Sequence, residues 1–214
     1  MKMRSFAKLA RRSAPRIYRQ TARAEAAKSR EADILEAFQA LLGTRWTSDF
    51  TLADVAREAG VTQQTVIRKF GGKEGLFRAL AEKIGTEIEA RRAVQPGMMS
   101  EAIAVLVEDY EAVGDLVSRL LQQEAHDGAL TPLLEFGRKA HREWIAHAFA
   151  PALQSRGEPA RKLLLDALVA ATDVYVWKLL RRDLGYQPAH VAAVIELLAA
   201  GATNATSTTK RTRR

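Results

Sequence analysis

Apolar residues recur at helical spacing along nearly the whole chain, and nowhere is the alternation of a half-buried strand sustained. From Glu31 to Leu42, the residues Ile34, Leu35, Phe38, Leu41 and Leu42 make one stripe. That spacing predicts an amphipathic helix. The same period returns at Leu76, Phe77, Leu80, Ile84 and Ile88 after Lys73, and in segments beginning near Ser100, Leu116, Thr131, Pro159 and Pro188. The expected fold is therefore all-α, with about nine helices. Pro96-Gly97 is the expected seam between an N-terminal and a C-terminal domain. The expected division is 1–30, a flexible basic arm; 31–95, a helical domain with the start of a connecting helix; 96–202, a second helical domain; and 203–214, a disordered basic tail.

Charge supports part of this division. The net charge is +8 over 214 residues, with a sequence pI near 10.0. Residues 1–30 hold ten bases against the single acid Glu25, and Lys210, Arg211, Arg213 and Arg214 close the chain. The body between is mildly acidic. Such ends suit a polyanion but also suit solvated tails, so charge permits DNA binding without establishing it. The Arg-rich start also has the composition of an organellar transit peptide, though it lacks the apolar stretch of a secretory signal. There is no cysteine, which excludes disulfides, thiolate metal sites and cysteine nucleophiles and fits a reducing cytoplasm. No apolar run reaches the roughly 20 residues of a membrane span.

The stretch with most chemical content is TLADVAREAGVTQQTVIRKFGGK, Thr51 to Lys73. Thr51 and Asp54 have the spacing of a capping box, Gly60 closes the first short helix, and Thr62 is placed to cap the second. Two short helices on a tight turn must cross steeply to bury their apolar sides. Ala56 allows close approach, while Val61, Val66 and Phe70 fill the corner. The outer side of the second helix is left with Thr62, Gln63, Gln64, Thr65, Arg68 and Lys69, without an acid among them. Gln pairs bidentately with adenine and Arg with guanine in a major groove. Thr51, Thr62, Gln63, Gln64, Thr65, Ile67, Arg68, Lys69 and Lys73 are the predicted DNA contacts, with Lys73 expected on a phosphate.

In these residues the chain resembles the tetracycline-repressor (TetR) family. Leu52, Val55, Ala56, Ala59, Gly60, Val61, Thr65, Val66, Phe70, Lys73, Glu74, Leu76 and Leu80 match its N-terminal signature as they stand. Ile67 replaces the family's usual Tyr, Lys69 its common His, and Gly72 its usual polar cap. The Tyr–phosphate contact is therefore not carried over; Ile67 is left to pack or to meet a thymine methyl. The resemblance implies a homodimer through residues 159–200, two recognition helices about 34–36 Å apart on a near-palindromic double-stranded operator, and repression relieved by a small-molecule effector. It also implies a pocket, for which Tyr110, Gln122, Phe136, His141, Trp144, Asp173 and Trp177 are the candidates, with Gln123 as a further polar contact. It places the protein on DNA in the bacterial cytoplasm, in contact with the nucleoid.

No catalytic constellation emerges, and no metal or cofactor is expected. Glu143, His147 and His141 lie near one another in sequence but lack further ligands. Gly71-Gly72-Lys73 lacks the spacing of a phosphate loop. Asp109 and Glu111 are expected to be solvated. An enzyme in a helical fold is the weakest of three readings; a DNA-compacting protein using its basic ends is the second.

Overall fold

A computed structural model describes the backbone of residues 14–208 and the side chains of residues 28–206. Within it the helices are α1 (Ala14–Thr44), α2 (Leu52–Glu58), α3 (Gln63–Phe70), α4 (Lys73–Arg91), α5 (Met99–Gln123), α6 (Thr131–Ala148), α7 (Ala150–Gln154), α8 (Ala160–Ala171), α9 (Val174–Lys178) and α10 (Pro188–Thr208). A π-turn, Leu179–Asp183, continues α9. The described residues contain no strand, and no helix among them is long and apolar enough to cross a membrane.

Two clusters of buried side chains organise the helices. The first joins Ile34, Phe38, Leu42, Val55, Val66, Leu76, Phe77 and Leu80, with Phe38 edge-on to Phe77 at 5.0 Å. It also takes in Leu120, Leu130, Leu133 and Leu134, so the packing crosses the seam expected at Pro96-Gly97. The second cluster wraps α5, α6, α8, α9 and α10 around Trp177, which is fully buried. Helix α4 begins in the first cluster and ends beside the second, where Arg91 and Arg92 meet α5.

Several boundaries differ from those expected, each for a local reason. The two helices expected around 100–113 and 116–124 are one, α5. Gly114 does not break it, because a Cβ there would sit 2.5 Å from the Trp177 ring: the glycine admits a close approach. The single helix expected over 159–184 is instead interrupted. The Thr172 hydroxyl donates back to the Leu168 carbonyl at 2.7 Å, and Asp173 caps α9 by accepting the Tyr175 N–H at 2.9 Å. The segment expected to be a flexible arm is helical from Ala14, its alanine-rich run favouring helix. Residues 203–208 likewise extend α10 instead of forming an irregular tail, with Thr203 and Thr206 hydroxyls bonded back to Ala199 and Ala202 carbonyls. The remainder of both basic ends lies outside the described residues.

Candidate nucleic-acid interface

The tight connection between α2 and α3 is built as the sequence specifies. Thr51 and Asp54 form a reciprocal capping box: the Thr51 N–H and hydroxyl both donate to the Asp54 carboxylate at 2.8 Å, and the Asp54 N–H donates to the Thr51 hydroxyl oxygen at 3.3 Å. These bonds, with one from Arg57, pull the Asp54 carboxyl down to a pKa of about 2. At the other end Gly60 takes a left-handed φ of 64°, and the Val61 N–H closes on the Ala56 carbonyl at 2.9 Å. The Thr62 hydroxyl then accepts the Thr65 N–H at 3.2 Å and starts α3.

Ala56 and Val66 are buried at the crossing, so the opposite side of α3 is fixed. Thr62, Gln63, Gln64, Ile67 and Arg68 are exposed there, with Thr65 and Lys69 half-buried at its margin. Ile67 is 37% exposed, an isolated apolar group on a polar surface. Three of the predicted DNA-contacting residues have other work. The hydroxyls of Thr51 and Thr62 are engaged in capping, and Lys69 pairs with Glu31 of α1 at 3.2 Å.

Lys73 is a correction. Its ammonium turns inward, donates to the carbonyls of Thr47 and Phe50 (2.9 Å to Phe50), and lies 4.5 Å from the Phe50 ring centroid. Burial lowers its pKa. The side chain ties the α1–α2 loop to α4 instead of reaching a phosphate. The same loop is held from α5: the Thr47 N–H donates to Gln123 Oε1 at 2.8 Å, and Arg119 donates to the Thr44 carbonyl at 2.9 Å. Gln123, expected in a pocket, is thus a buried strut between α5 and the α1–α2 loop.

A family model described as "Bacterial regulatory proteins, tetR family" matches residues 34–80, the segment that contains this geometry. Over 84 residues the chain is 37% identical to the HTH-type transcriptional regulator AlkX of Mycobacterium tuberculosis. That match covers 37% of this chain and 40% of the relative, so the chain spans about two fifths of that protein's length in the alignment. Residues 34–80 are thus similar to the DNA-binding segment of the TetR family of bacterial regulatory proteins. Its fold is similar to that of a transcriptional regulator from Rhodococcus sp. Rha1, with a TM-score of 0.63, 15% identity, and coverage of 81% of this chain and 96% of that one.

The residues expected to line a pocket separate into three groups. Tyr110, His141 and Trp144 gather around Arg92, and Trp177 packs against Tyr110 with 5.9 Å between ring centroids. Arg92 donates to Asp109 through Nε at 2.8 Å, and its guanidinium lies 5.2 Å and 5.4 Å from the Tyr110 and Trp144 ring centroids. His141 Nδ1 stands 3.3 Å from Arg92, and its Nε2 stands 3.1 Å from the Thr172 hydroxyl. Tyr110 donates to the Thr172 carbonyl at 2.9 Å. Burial, and then the charge of Arg92, lower the His141 pKa to about 4, while burial raises that of Tyr110. Trp177 donates to Glu111 at 2.9 Å. Phe136 is exposed on α6 and rests against Gly85 of α4, and Gln122 is exposed on α5. Asp173 is the cap of α9.

The expectation that Asp109 and Glu111 are solvated is also corrected. The Asp109 side chain has 0% exposure and pairs with Arg91 at 2.6 Å and Arg92 at 2.6 Å; Glu111 pairs with Arg181 at 3.0 Å. A signal was available: Asp109 stands three residues after Leu106 and seven after Ala102, on the buried stripe of α5. An open groove of about 530 Å³ lies elsewhere, between α6 and α8, lined among others by Arg142, Ala146, Leu153, Glu158 and Leu165. It contains none of the expected pocket residues.

Proposed function

We propose that the chain is a sequence-specific DNA-binding transcriptional repressor that acts as a homodimer and leaves its operator when a small molecule binds the C-terminal domain. The observation that carries the reading is the acid-free, exposed side of α3, fixed across a doubly capped α2 by the burial of Ala56 and Val66. Gln63, Gln64 and Arg68 are its readers of base edges, Ile67 is an apolar contact for a thymine methyl, and Thr51, Thr62, Thr65 and Lys69 lie at its margin.

Dimerisation through residues 159–200 is supported by apolar side chains left on α8 and α10. Leu163 is 64% and Leu197 72% exposed, and Ala193 and Gly201 flank Leu197 one turn away on either side. Exposed leucines amid small residues suit a helix–helix contact. Release by an effector is supported by α4, which links the core around α2 and α3 to the polar and aromatic cluster around Arg92. A ligand that binds better when this cluster is rearranged would draw on α4 and shift the spacing of the recognition helices. No catalytic step is needed, and the site of action is the bacterial cytoplasm.

The test is selection from sheared genomic DNA at physiological salt, with the full chain and with residues 1–30 deleted. Enrichment of one or a few near-palindromic sites by both proteins is the expected result. Even retention of all fragments, abolished by the deletion, would leave only a charge-driven DNA-compacting protein.

A further inference from the structure

The Arg92 side chain is held inside the protein as a bound cation would be held. It is 5% exposed and ends among partners from α5 and α6. Its Nε and one terminal nitrogen both meet Asp109 Oδ2, at 2.8 Å and 2.6 Å. The other terminal nitrogen faces His141 Nδ1 at 3.3 Å. The guanidinium carbon lies over the rings of Tyr110 and Trp144, 5.2 Å and 5.4 Å from their centroids. His141 is an acceptor here. The Thr172 hydroxyl donates its proton to the Leu168 carbonyl, so it accepts from His141 Nε2–H, and Nδ1 keeps its lone pair. Burial, and then the charge of Arg92, keep that ring neutral at physiological pH.

Every group around the guanidinium therefore selects the same chemistry. A carboxylate oxygen, an imidazole lone pair and two aromatic rings favour a flat cation with several N–H groups. Arg91 does not fill this role. It meets the other carboxylate oxygen, Oδ1, at 2.6 Å, and is shared with Glu87 at 3.5 Å. Withdrawal of Arg92 alone would leave Oδ2 and Nδ1 without donors in a place closed to water. An anion entering there would meet the charge of Asp109, and a neutral molecule would forgo the attraction of the rings. A flat N–H cation would replace Arg92 group for group and leave the interior charge unchanged. Arg92 is placed for such an exchange. It is the capping residue beyond the last turn of α4, and Ala93 and residues 95–98 after it are exposed.

We propose that Asp109, His141, Tyr110 and Trp144 form a receptor for a flat organic cation of the guanidinium or amidinium class, plugged by the chain's own Arg92, and that such a cation is the effector. Its entry would detach Arg92 from α5 and loosen the end of α4. The receptor stands on the geometry alone; only its role as the effector site rests on the reading of the chain as an effector-released repressor.

The test uses the full chain. Arg92→Ala removes what N-ethylguanidinium can replace; N-ethylurea has the same shape without the charge, and propionate has the opposite charge. At equal ionic strength, ethylguanidinium alone should raise the thermal midpoint of Arg92→Ala, and it should not raise that of the unaltered protein. Adding Asp109→Asn should abolish the preference for ethylguanidinium over ethylurea. Should Arg92→Ala not fold alone, the three compounds are added during refolding, and ethylguanidinium alone should restore the helical circular dichroism signal. In calorimetry benzamidinium should bind the Arg92→Ala protein about tenfold or more tightly than the unaltered protein, whose own guanidinium competes. Stabilisation by none of the three compounds, or by ethylurea as much as by ethylguanidinium, would overturn the receptor. With the unaltered protein on a duplex recovered by genomic selection, benzamidinium should lower the DNA affinity and neutral benzamide should not. Selective binding of the cation with DNA affinity unchanged would overturn its role as effector while the receptor stands. The cation measurements decide the receptor whether or not a site is selected, so its failure and a failure of sequence reading by α3 are distinct results.

Discussion

Asp109 holds two arginines at the point where α4 meets α5, and it does so without access to water. Removing one member of a buried ionic pair leaves the other charged and unsolvated, a cost of about 3–5 kcal/mol. Asp109→Ala should therefore lower the unfolding free energy by about that amount in denaturant titration, whereas Asp115→Ala, on the exposed pair with Arg182, should change it by less than about 1 kcal/mol. His141, in the same cluster, gives a pH signature. Its folded pKa is near 4, below the ordinary 6.5, so the unfolded chain binds the proton more readily. Stability from this group is complete above pH 6.5 and is lost as pH falls towards 4, by up to about 3 kcal/mol. His141→Gln should flatten the unfolding free energy across that window. None of this was legible from composition. The register was: His141 stands seven residues from Leu134 and four from Ile145, both buried, and Asp109 lies on the stripe of Leu106. What sequence does not disclose is that two such polar positions on different helices face one another.

At the scale of elements, the helix-turn-helix was the most legible part because its stops and starts are written in side-chain chemistry. The Thr51–Asp54 box, the Gly60 turn and the Thr62 cap all form as their spacing predicts. Thr62→Ala should cost about 1 kcal/mol. Because α3 spans only Gln63–Phe70, the effect should appear as faster amide exchange in that helix before any change in the C-terminal domain. Elsewhere the same grammar misled where tertiary packing overrode it. The stripes beginning near Ser100 and Leu116 read as two helices but are one, with Gly114 between them as the slot for Trp177. Thr172-Asp173 reads as mid-helix but is a stop followed by a cap. Lys73 sits where a phosphate contact is expected, yet the carbonyls of a loop distant in sequence claim it.

For the whole molecule, the proposed dimer makes a sharp demand on the outer side of α8 and α10. Leu197→Glu places a charge at the centre of that surface. It should halve the mass measured by light scattering and weaken binding to a two-fold site, while binding to a single half-site stays unchanged. A dimer of unaltered mass would remove α10 from the interface. The junction of α4 with α6 has one more consequence, an optical one. The Trp144 indole N–H donates to the carbonyl of Arg92, the capping residue of α4, at 2.7 Å. Of the three tryptophans, Trp177 is sealed in the core and Trp46 is 42% exposed in the α1–α2 loop. With Trp46 changed to Phe, the emission that responds to quenchers and to bound DNA should come from Trp144. Withdrawal of α4, which the proposed effector would cause, should bare its ring to water and shift its emission to the red, so the molecule carries its own reporter where α4 meets α6, and fluorescence titration can screen for such an effector before its chemistry is known.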